Sequence, residues 1–534
     1  MAVTGSLQTK DYQHFQVIDE HGVVVATFEG ANIAKGCLPG DSVEWTPESR
    51  SLKQLERGAY PLLVGTLELA SRTTYGLTSS NHNIYLFVPY TRGFPPFHVG
   101  SSHKDRSCHQ IAFVKFHTWD ATQSQCPRGH LERLLGPAGD LKAEEAALQW
   151  LAHPWPSLRG KAVPTPGLVV GEAEVARQGV RGFTFNIDPV GCRDIDDVMS
   201  LERAESGWFC TITIADVAAY VEEMGAIDIL ASTIGQTLYK DGEAIYPMLP
   251  TSLSEEACTL KAGEERRGVS LEFFWNETSN TVNDVRWFES LFTNQRTFTY
   301  EEFQASDSPE RTALQRIATC LEGSSVPITD SHIWIEAMMK FYNITAGAQL
   351  KQCGAGILRK HSAPDSARFE AYVSLDPELG RLAQSSAEYC LAEEEEVSHF
   401  GLGAAAYCHA TSPIRRYADL MNQRILKQLI RGNKEGLFVT VPVADLNLRA
   451  KAAKTFEKNL HYLRALLEGP KEVEGLILEV SDTKIRLWIP SWQRIVSIRP
   501  EPDRILAMGQ VARIRFAIHL LGRHWKERII TKVC

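Results

Sequence analysis

The 534-residue sequence holds no Cys-x-x-Cys pair, no apolar run long enough to span a bilayer, no low-complexity tract and no internal helical repeat. Its eleven cysteines are scattered without regular spacing, which leaves neither a thiolate zinc site nor a disulfide framework and makes a reducing compartment the simpler setting. The opening stretch from Met1 to Asp11 lacks the hydrophobic centre of a signal peptide, so a cytoplasmic location is expected and a membrane is not expected as a partner. Excess basic charge is missing too: 56 Lys and Arg against 65 Asp and Glu give a formal net charge of -9. That argues against a protein coated in basic surface, while a local basic channel for nucleic acid stays compatible with an acidic exterior.

What is present is ordinary in composition, with 44% hydrophobic and 23% charged residues, and too long for a single core. Three or four domains are expected. Short alternating segments such as His14 to Asp19 and Gly22 to Phe28, broken by Gly30, Gly36 and Gly40, predict a small β-barrel over residues 1–60. A second barrel is predicted over 61–160 from Val64 to Leu69, Ile84 to Tyr90 and Ile111 to Phe116. Aromatics exposed beside Arg72, Lys104, Arg106 and Lys115 would make a stacking platform for single-stranded nucleic acid, whereas the same aromatics turned inward would only fill the barrel. A helix from Leu141 to Leu151 and a linker marked by Pro154, Pro156, Pro164 and Pro166 lead into a central domain over 161–468 that mixes strands with helices, among them Ser331 to Leu350, Tyr417 to Arg431 and Asn447 to Leu467. Residues 469–534 return to strands and read as an OB-type barrel, made basic by Arg486, Arg494, Arg499, Arg513, Arg515, Arg523 and Lys526.

The chemistry concentrates in the stretch from Phe183 to Asp197. Phe183, Phe185 and Ile187 alternate with Thr184, Asn186 and Asp188, which predicts a half-buried strand with Asp188 at its end. Pro189 and Gly191 bend the chain so that Asp194, Asp196 and Asp197 can return towards Asp188. Four carboxylates so close repel one another unless cations share them, and hard oxygen ligands suit Mg2+ or Mn2+ better than zinc. Two such ions can clamp the attacking and leaving oxygens of a phosphodiester displacement. An EF-hand does not fit, because Val198 and Met199 stand where that loop needs a ligand and a glycine, and a solvated acidic turn does not fit the apolar residues on both flanks.

A second loaded stretch runs from Tyr407 to Arg424. Thr411, Ser412 and Pro413 are expected to start a helix with Arg415 and Arg416 in its first turn, where cations oppose the helix dipole. Arginines kept at such a place suggest an anion, and a guanidinium fork matches a phosphate. The competing reading is a surface ion pair with the acids from Glu393 to Glu396.

Taken in order, Asp188-Pro-Val-Gly-Cys-Arg-Asp194-Ile-Asp196-Asp197, Ile214-Ala-Asp-Val217, Tyr246-Pro-Met-Leu-Pro250 and Thr411-Ser-Pro-Ile-Arg-Arg-Tyr417 resemble the signatures of the RNB catalytic domain of the ribonuclease II and ribonuclease R family. The resemblance covers most of the chain. It implies a multidomain α+β protein with two cold-shock-like barrels, an RNB domain and a closing OB barrel. It also implies processive 3'-to-5' hydrolysis of single-stranded RNA to 5'-mononucleotides, with magnesium. Carried over residue by residue, Asp188, Asp194, Asp196 and Asp197 match the metal-binding and catalytic aspartates, and Arg415, beside Arg416, matches the arginine at the phosphate near the scissile bond. Tyr300 and Glu336 match residues near the terminal nucleotide, with the following Asn shifted to Asn343, and Tyr239 matches a tyrosine that stacks on terminal bases.

The sequence departs from the family pattern at Thr213 and Gln423, where histidines are usual, and the region from Glu336 to His399 is short. Without a lysine-rich tail or an additional N-terminal domain, plain single-strand degradation by a monomer is expected rather than duplex unwinding. The rival from another class is a catalytically inactive RNA-binding regulator on the same fold, against which the retention of all four aspartates and Arg415 argues. A metal-dependent phosphatase or DNA nuclease is disfavoured because flanking barrels of this kind usually hold single-stranded RNA.

Overall fold

Glu265–Asn276 and Thr281–Thr293, the two longest strands of the central region, form a hairpin whose turn ends at Asn280, in the left-handed region at a φ of 52°. Gly207–Ala215, Asp197–Ala204 and Phe183–Ile187 add to it antiparallel, and Arg296–Phe298 closes the six-stranded sheet in parallel beside Phe183–Ile187. In this computed structural model, residues 2–155, 166–501, 505–523 and 525–534 are described. Pro156 and Pro164 of the expected linker, and the expected boundary at residues 160 and 161, lie outside them.

One face of the sheet carries Phe185, Ile187, Ile212, Leu271 and Phe273 and packs on helices Pro309–Leu321 and Ser331–Cys353 through Leu314, Ile317, Trp334, Met338 and Tyr342. The strand Phe183–Ile187 was expected to be half-buried, but its polar face is interior as well. Thr184 bonds Ser200, and Asn186 accepts hydrogen bonds from Asn294 and Thr297, each at 2.8 Å. Further along that face Thr213 bonds Ser270 at 2.7 Å. A second core lies around Val198, Val217, Ile234, Leu253, Tyr417 and Met421, so the sheet is covered on both sides. Alternation reports that two faces differ, not that one of them is wet.

The chain divides into two compact units. Pro156–Ala453 holds this six-stranded sheet with its helices, and Met1–Trp155 together with Lys454–Cys534 holds the β-rich parts. Residues 3–56 form a five-stranded antiparallel sheet, and residues 63–137 a closed barrel in which Arg128–Pro137 pairs antiparallel with Gln110–Thr118 and parallel with Phe97–Gly100. The C-terminal strands form a second five-stranded antiparallel sheet, centred on Lys471–Val480. The expected multidomain α+β plan is therefore present, and among the described residues the hydrogen-bonded ring closes in the middle β block alone.

The aromatics of the closed barrel fill it. Tyr85, Phe87 and Phe97 are fully buried, and Phe113 lies against Trp150 of the helix Leu141–Ala152 at 4.9 Å. Of the two readings left open for these aromatics, the inward one holds for Tyr85, Phe87 and Phe97, because the inward positions of a small barrel need large side chains. Tyr75, on a loop, is exposed. Arg528, just before the strand Ile529–Val533, is buried among barrel residues: its guanidinium donates to Glu144, to Thr66 Oγ1 at 2.6 Å and to the Tyr90 hydroxyl at 3.0 Å.

Candidate active site

The strand Phe183–Ile187 delivers Asp188 with its backbone N–H donating to Phe298 O at 3.1 Å. A turn at Pro189, with Gly191 at a φ of 82°, reverses the chain. Ile195, almost fully buried, then anchors the loop: its N–H donates to Thr259 Oγ1 at 3.0 Å and its carbonyl accepts from Leu260 N at 3.0 Å. Asp196 and Asp197 follow at the start of the next strand, and Asp196 O accepts from Ala215 N at 2.8 Å. Sheet pairing and one buried isoleucine thus hold four carboxylates around a single opening.

That opening is a cavity of about 850 Å³, and every site residue expected from the sequence lines it: Asp188, Asp194, Asp196, Asp197, Tyr239, Tyr300, Glu336, Arg415 and Arg416. Asp196 is 3% exposed and accepts from Ile414 N at 3.0 Å and from Arg415 Nε at 3.1 Å. Burial nevertheless outweighs Arg415 and pushes its carboxyl up to about 7. Asp188 accepts from Asn186 Nδ2 at 2.9 Å, and burial raises its carboxyl despite that bond. Asp197 has no hydrogen-bond partner for its carboxylate among the described residues. Its carboxyl is driven well above the usual range by burial, then by Asp188 and Asp196. Asp194 accepts from the Tyr239 hydroxyl, and the tyrosine is raised in turn by burial and by that carboxylate.

The expected helix start is displaced. The helix begins at Tyr417, and Arg416 sits before it with extended backbone, bridged to Gln236. Arg415 and Arg416 therefore lie in the preceding turn and not in the first helical turn. The cause is tertiary: Arg415 O accepts from Thr237 N at 2.9 Å, and Asp419 reaches back to accept from Ser412 N at 2.8 Å. The surface ion pair with Glu393 to Glu396 is not formed by Arg415, which pairs with Asp196, while Glu394 pairs with Lys360. The two arginines differ. Arg415 uses Nε on Asp196, and its terminal nitrogens have no hydrogen-bond partner among the described residues, whereas Arg416 is bound by the buried Asp419 through Nε at 2.9 Å and Nη2 at 2.7 Å.

The long helix Ser331–Cys353 supplies a wall. His332, Ile335, Glu336, Met339 and Asn343, spaced by three and four, all line the cavity. Glu336 pairs with Lys340 at 2.8 Å. Asn343 is fixed by Thr411 Oγ1 at 3.2 Å, the Tyr407 hydroxyl at 3.3 Å and Ala410 N at 2.8 Å. Sequence reasoning missed His332, whose ring stacks on Tyr300, and His409, which meets the Tyr389 hydroxyl at 2.9 Å and is held neutral by burial and then Arg416. His332 was findable as the residue one turn before Glu336; His409 carried no local signal.

The departures at Thr213 and Gln423 are accommodated without the cavity: Gln423 accepts from Ala218 N at 3.1 Å and donates to Ala215 O at 2.7 Å. Another set of three buried acids, Glu172, Asp216 and Glu289, has carboxylate oxygens within 4.8 Å of one another. Its charge is already matched by Lys427, Arg177 and Arg431, with Lys427 Nζ 2.8 Å from Asp216. Burial would raise Asp216, but Lys427 and Arg177 outweigh it and hold the carboxyl below its ordinary value, so these acids act as an ion-pair cluster.

The RNB domain family model matches residues 177–316 and 314–432, and the model of the Dis3-like cold-shock domain 2 matches residues 84–150. Among curated proteins, the probable exosome complex exonuclease RRP44 of Caenorhabditis elegans is 26% identical over 506 residues, covering 76% of this chain and 52% of that protein. The chain spans about half the length of the curated relatives it matches. Among solved structures, Mycoplasma genitalium RNase R in complex with ribose methylated single-stranded RNA aligns over 100% of both chains with a TM-score of 0.70 at 16% identity. Yeast Ssd1, described as a pseudonuclease, aligns over 96% of this chain and 81% of its own with a TM-score of 0.65 at 16% identity. With the RNB match lying on the domain that carries the aspartate cavity, the chain belongs to the RNB-domain family of ribonuclease II, ribonuclease R and RRP44.

Proposed function

We propose that the chain is a processive 3'-to-5' exoribonuclease that hydrolyses single-stranded RNA to 5'-mononucleotides. The observation that carries this reading is the convergence of Asp188, Asp194, Asp196 and Asp197 on one cavity with Arg415 as their direct cation. Four carboxylates face Arg415 as their paired cation, so the site is short of positive charge whenever they are ionised, and burial adds to the cost of ionising Asp188, Asp196 and Asp197 in the absence of a further cation. An all-oxygen donor set with that deficit fits Mg2+, with Mn2+ as the alternative, and the four aspartates would hold it. Such ions supply Lewis-acid stabilisation of phosphate charge and a more acidic water.

The chain's own groups do the rest. Arg415, anchored through Nε by Asp196, keeps its terminal nitrogens for a phosphate, and a preorganised donor costs little reorganisation as charge develops. Arg416, spent largely on Asp419, shapes the turn that presents Arg415 and contributes to RNA at most through Nη1. The rings of Tyr239 and Tyr300 offer stacking faces for terminal bases, and Glu336 an acceptor for ribose hydroxyls, the feature that separates RNA from DNA. We further place the domains at 1–60, 61–160, 161–468 and 469–534, take the protein as a monomer, and assign it to the cytoplasm on the strength of eleven free cysteines.

The inactive-regulator reading is favoured by the likeness to a pseudonuclease of the same fold. It is opposed by the complete aspartate set. Incubation with labelled linear RNA, circular RNA and DNA, each with and without magnesium, separates the two. Magnesium-dependent release of mononucleotides from linear RNA alone is expected; binding of RNA without products establishes the regulator.

A further inference from the structure

We propose that His332 is a positioning residue that holds the ring of Tyr300 by stacking on it, so that the terminal nucleotide meets a two-layered aromatic wall. This rests on the reading of the cavity as the site of the RNA 3' end. The two rings lie with centroids 3.9 Å apart and planes 9° from parallel. Tyr300 has no hydrogen bond to its hydroxyl among the described residues; its bonded atom is the backbone carbonyl, which accepts from Ser331 Oγ at 3.0 Å. Its ring orientation therefore depends on what packs against its faces.

His332 is itself oriented. Asp330 Oδ1 accepts both from the backbone N–H of His332 and from its ring Nδ1, each at 2.9 Å. An ionised carboxylate only accepts, so Nδ1 carries the hydrogen and the imidazole plane is set. The backbone bond of His332, followed by the ring bond, holds the Asp330 carboxyl below its ordinary value, which keeps it an acceptor at any working pH. The ring also opens the helical stripe through Ile335, Glu336, Met339 and Asn343, so one rigid element carries both the stack and the cavity wall.

A helix-capping role does not explain the imidazole. The capping bond comes from the backbone of His332 and survives any substitution there other than proline. Replacing the side chain thus removes the stack and leaves the helix start.

The test uses the full chain with His332→Ala, His332→Phe, Tyr300→Ala and the double variant His332→Ala/Tyr300→Ala. Single-turnover cleavage of one linear RNA oligomer and thermal midpoints are measured for each. A ring stack of this kind predicts a loss of roughly 3- to 10-fold in cleavage efficiency for His332→Ala. His332→Phe keeps a ring and stays within about 2-fold of wild type. In the Tyr300→Ala background His332→Ala causes no further loss of cleavage and no further drop in midpoint. Wild-type cleavage by His332→Ala, equal losses in the Ala and Phe variants, or additive losses in the double variant each overturn the proposal. If the wild-type chain releases no mononucleotides, the nuclease reading fails and the stack does not; the same cycle read in oligomer affinity by fluorescence polarisation then decides it by the same outcomes.

Discussion

The metal-free protein should lose stability as pH rises through neutrality, and the aspartate cavity sets the size of the loss. Asp196 is almost fully buried, and with Arg415 as its cation its carboxyl still moves from 3.8 to about 7. A carboxyl raised in the folded state keeps its proton where the unfolded chain has released it. Its contribution is therefore most favourable below the ordinary carboxylate pKa and declines as pH climbs to the folded value. Each unit of separation is worth about 1.4 kcal/mol, and between pH 6 and pH 8 the remaining decline is also about 1.4 kcal/mol. In a unit of this size that corresponds to a midpoint shift of about 2 °C. The perturbation is chelation of divalent ions with the pH stepped from 6 to 8, followed by differential scanning calorimetry on wild type and Asp196→Asn. The variant has no titrating carboxyl at this position, so its pH slope is the reference for all other groups. Wild type should fall by the stated amount relative to the variant, and Mg2+ should raise its midpoint more at pH 8 than at pH 6. Identical slopes in the two proteins would refute the claim that burial dominates at Asp196.

Asp197→Asn preserves size and removes the charge a hard ion requires, and should slow single-turnover cleavage roughly 100-fold or more while filter-binding affinity for RNA is retained. Joint loss of cleavage, binding and thermal stability would mark Asp197 as a support of the fold. Arg415→Lys keeps charge but not the fork, so turnover should drop while RNA affinity changes little; wild-type turnover would reduce Arg415 to a partner of Asp196. Lys427→Met strips one cation from the Glu172, Asp216 and Glu289 cluster and should destabilise the catalytic unit by about 3–5 kcal/mol, seen as a lower urea midpoint.

Much of the site was legible because it is local. Alternation placed the strand before Asp188, Pro189 and Gly191 placed the reversal, and the family signatures assembled the rest of a set that the fold then gathers in one cavity. What stayed hidden depends on residues far away in the chain. Thr184 and Asn186 look like a wet face, and only partners such as Ser200 and Asn294 make them interior. Thr411 to Pro413 look like a helix start, and Gln236, Thr237 and Asp419 keep the chain out of the helix until Tyr417. The stack of His332 on Tyr300 joins two helices that the sequence presents separately.

Arg528 carries a consequence for how the chain is made. Glu144 is buried with that guanidinium as its ion-pair partner, and the two residues are 384 positions apart. Until the ribosome has released Arg528 and the strand Ile529–Val533 behind it, the barrel holds a buried carboxylate without its guanidinium, which costs several kcal/mol if it stays ionised. The barrel thus reaches its final stability only after Arg528 emerges, and the unit Pro156–Ala453, contiguous in sequence, is free to fold in the interval. Nascent chains cut short before residue 528 should therefore present a loosened barrel to proteases, so that translation through Arg528 becomes the quality check on the barrel.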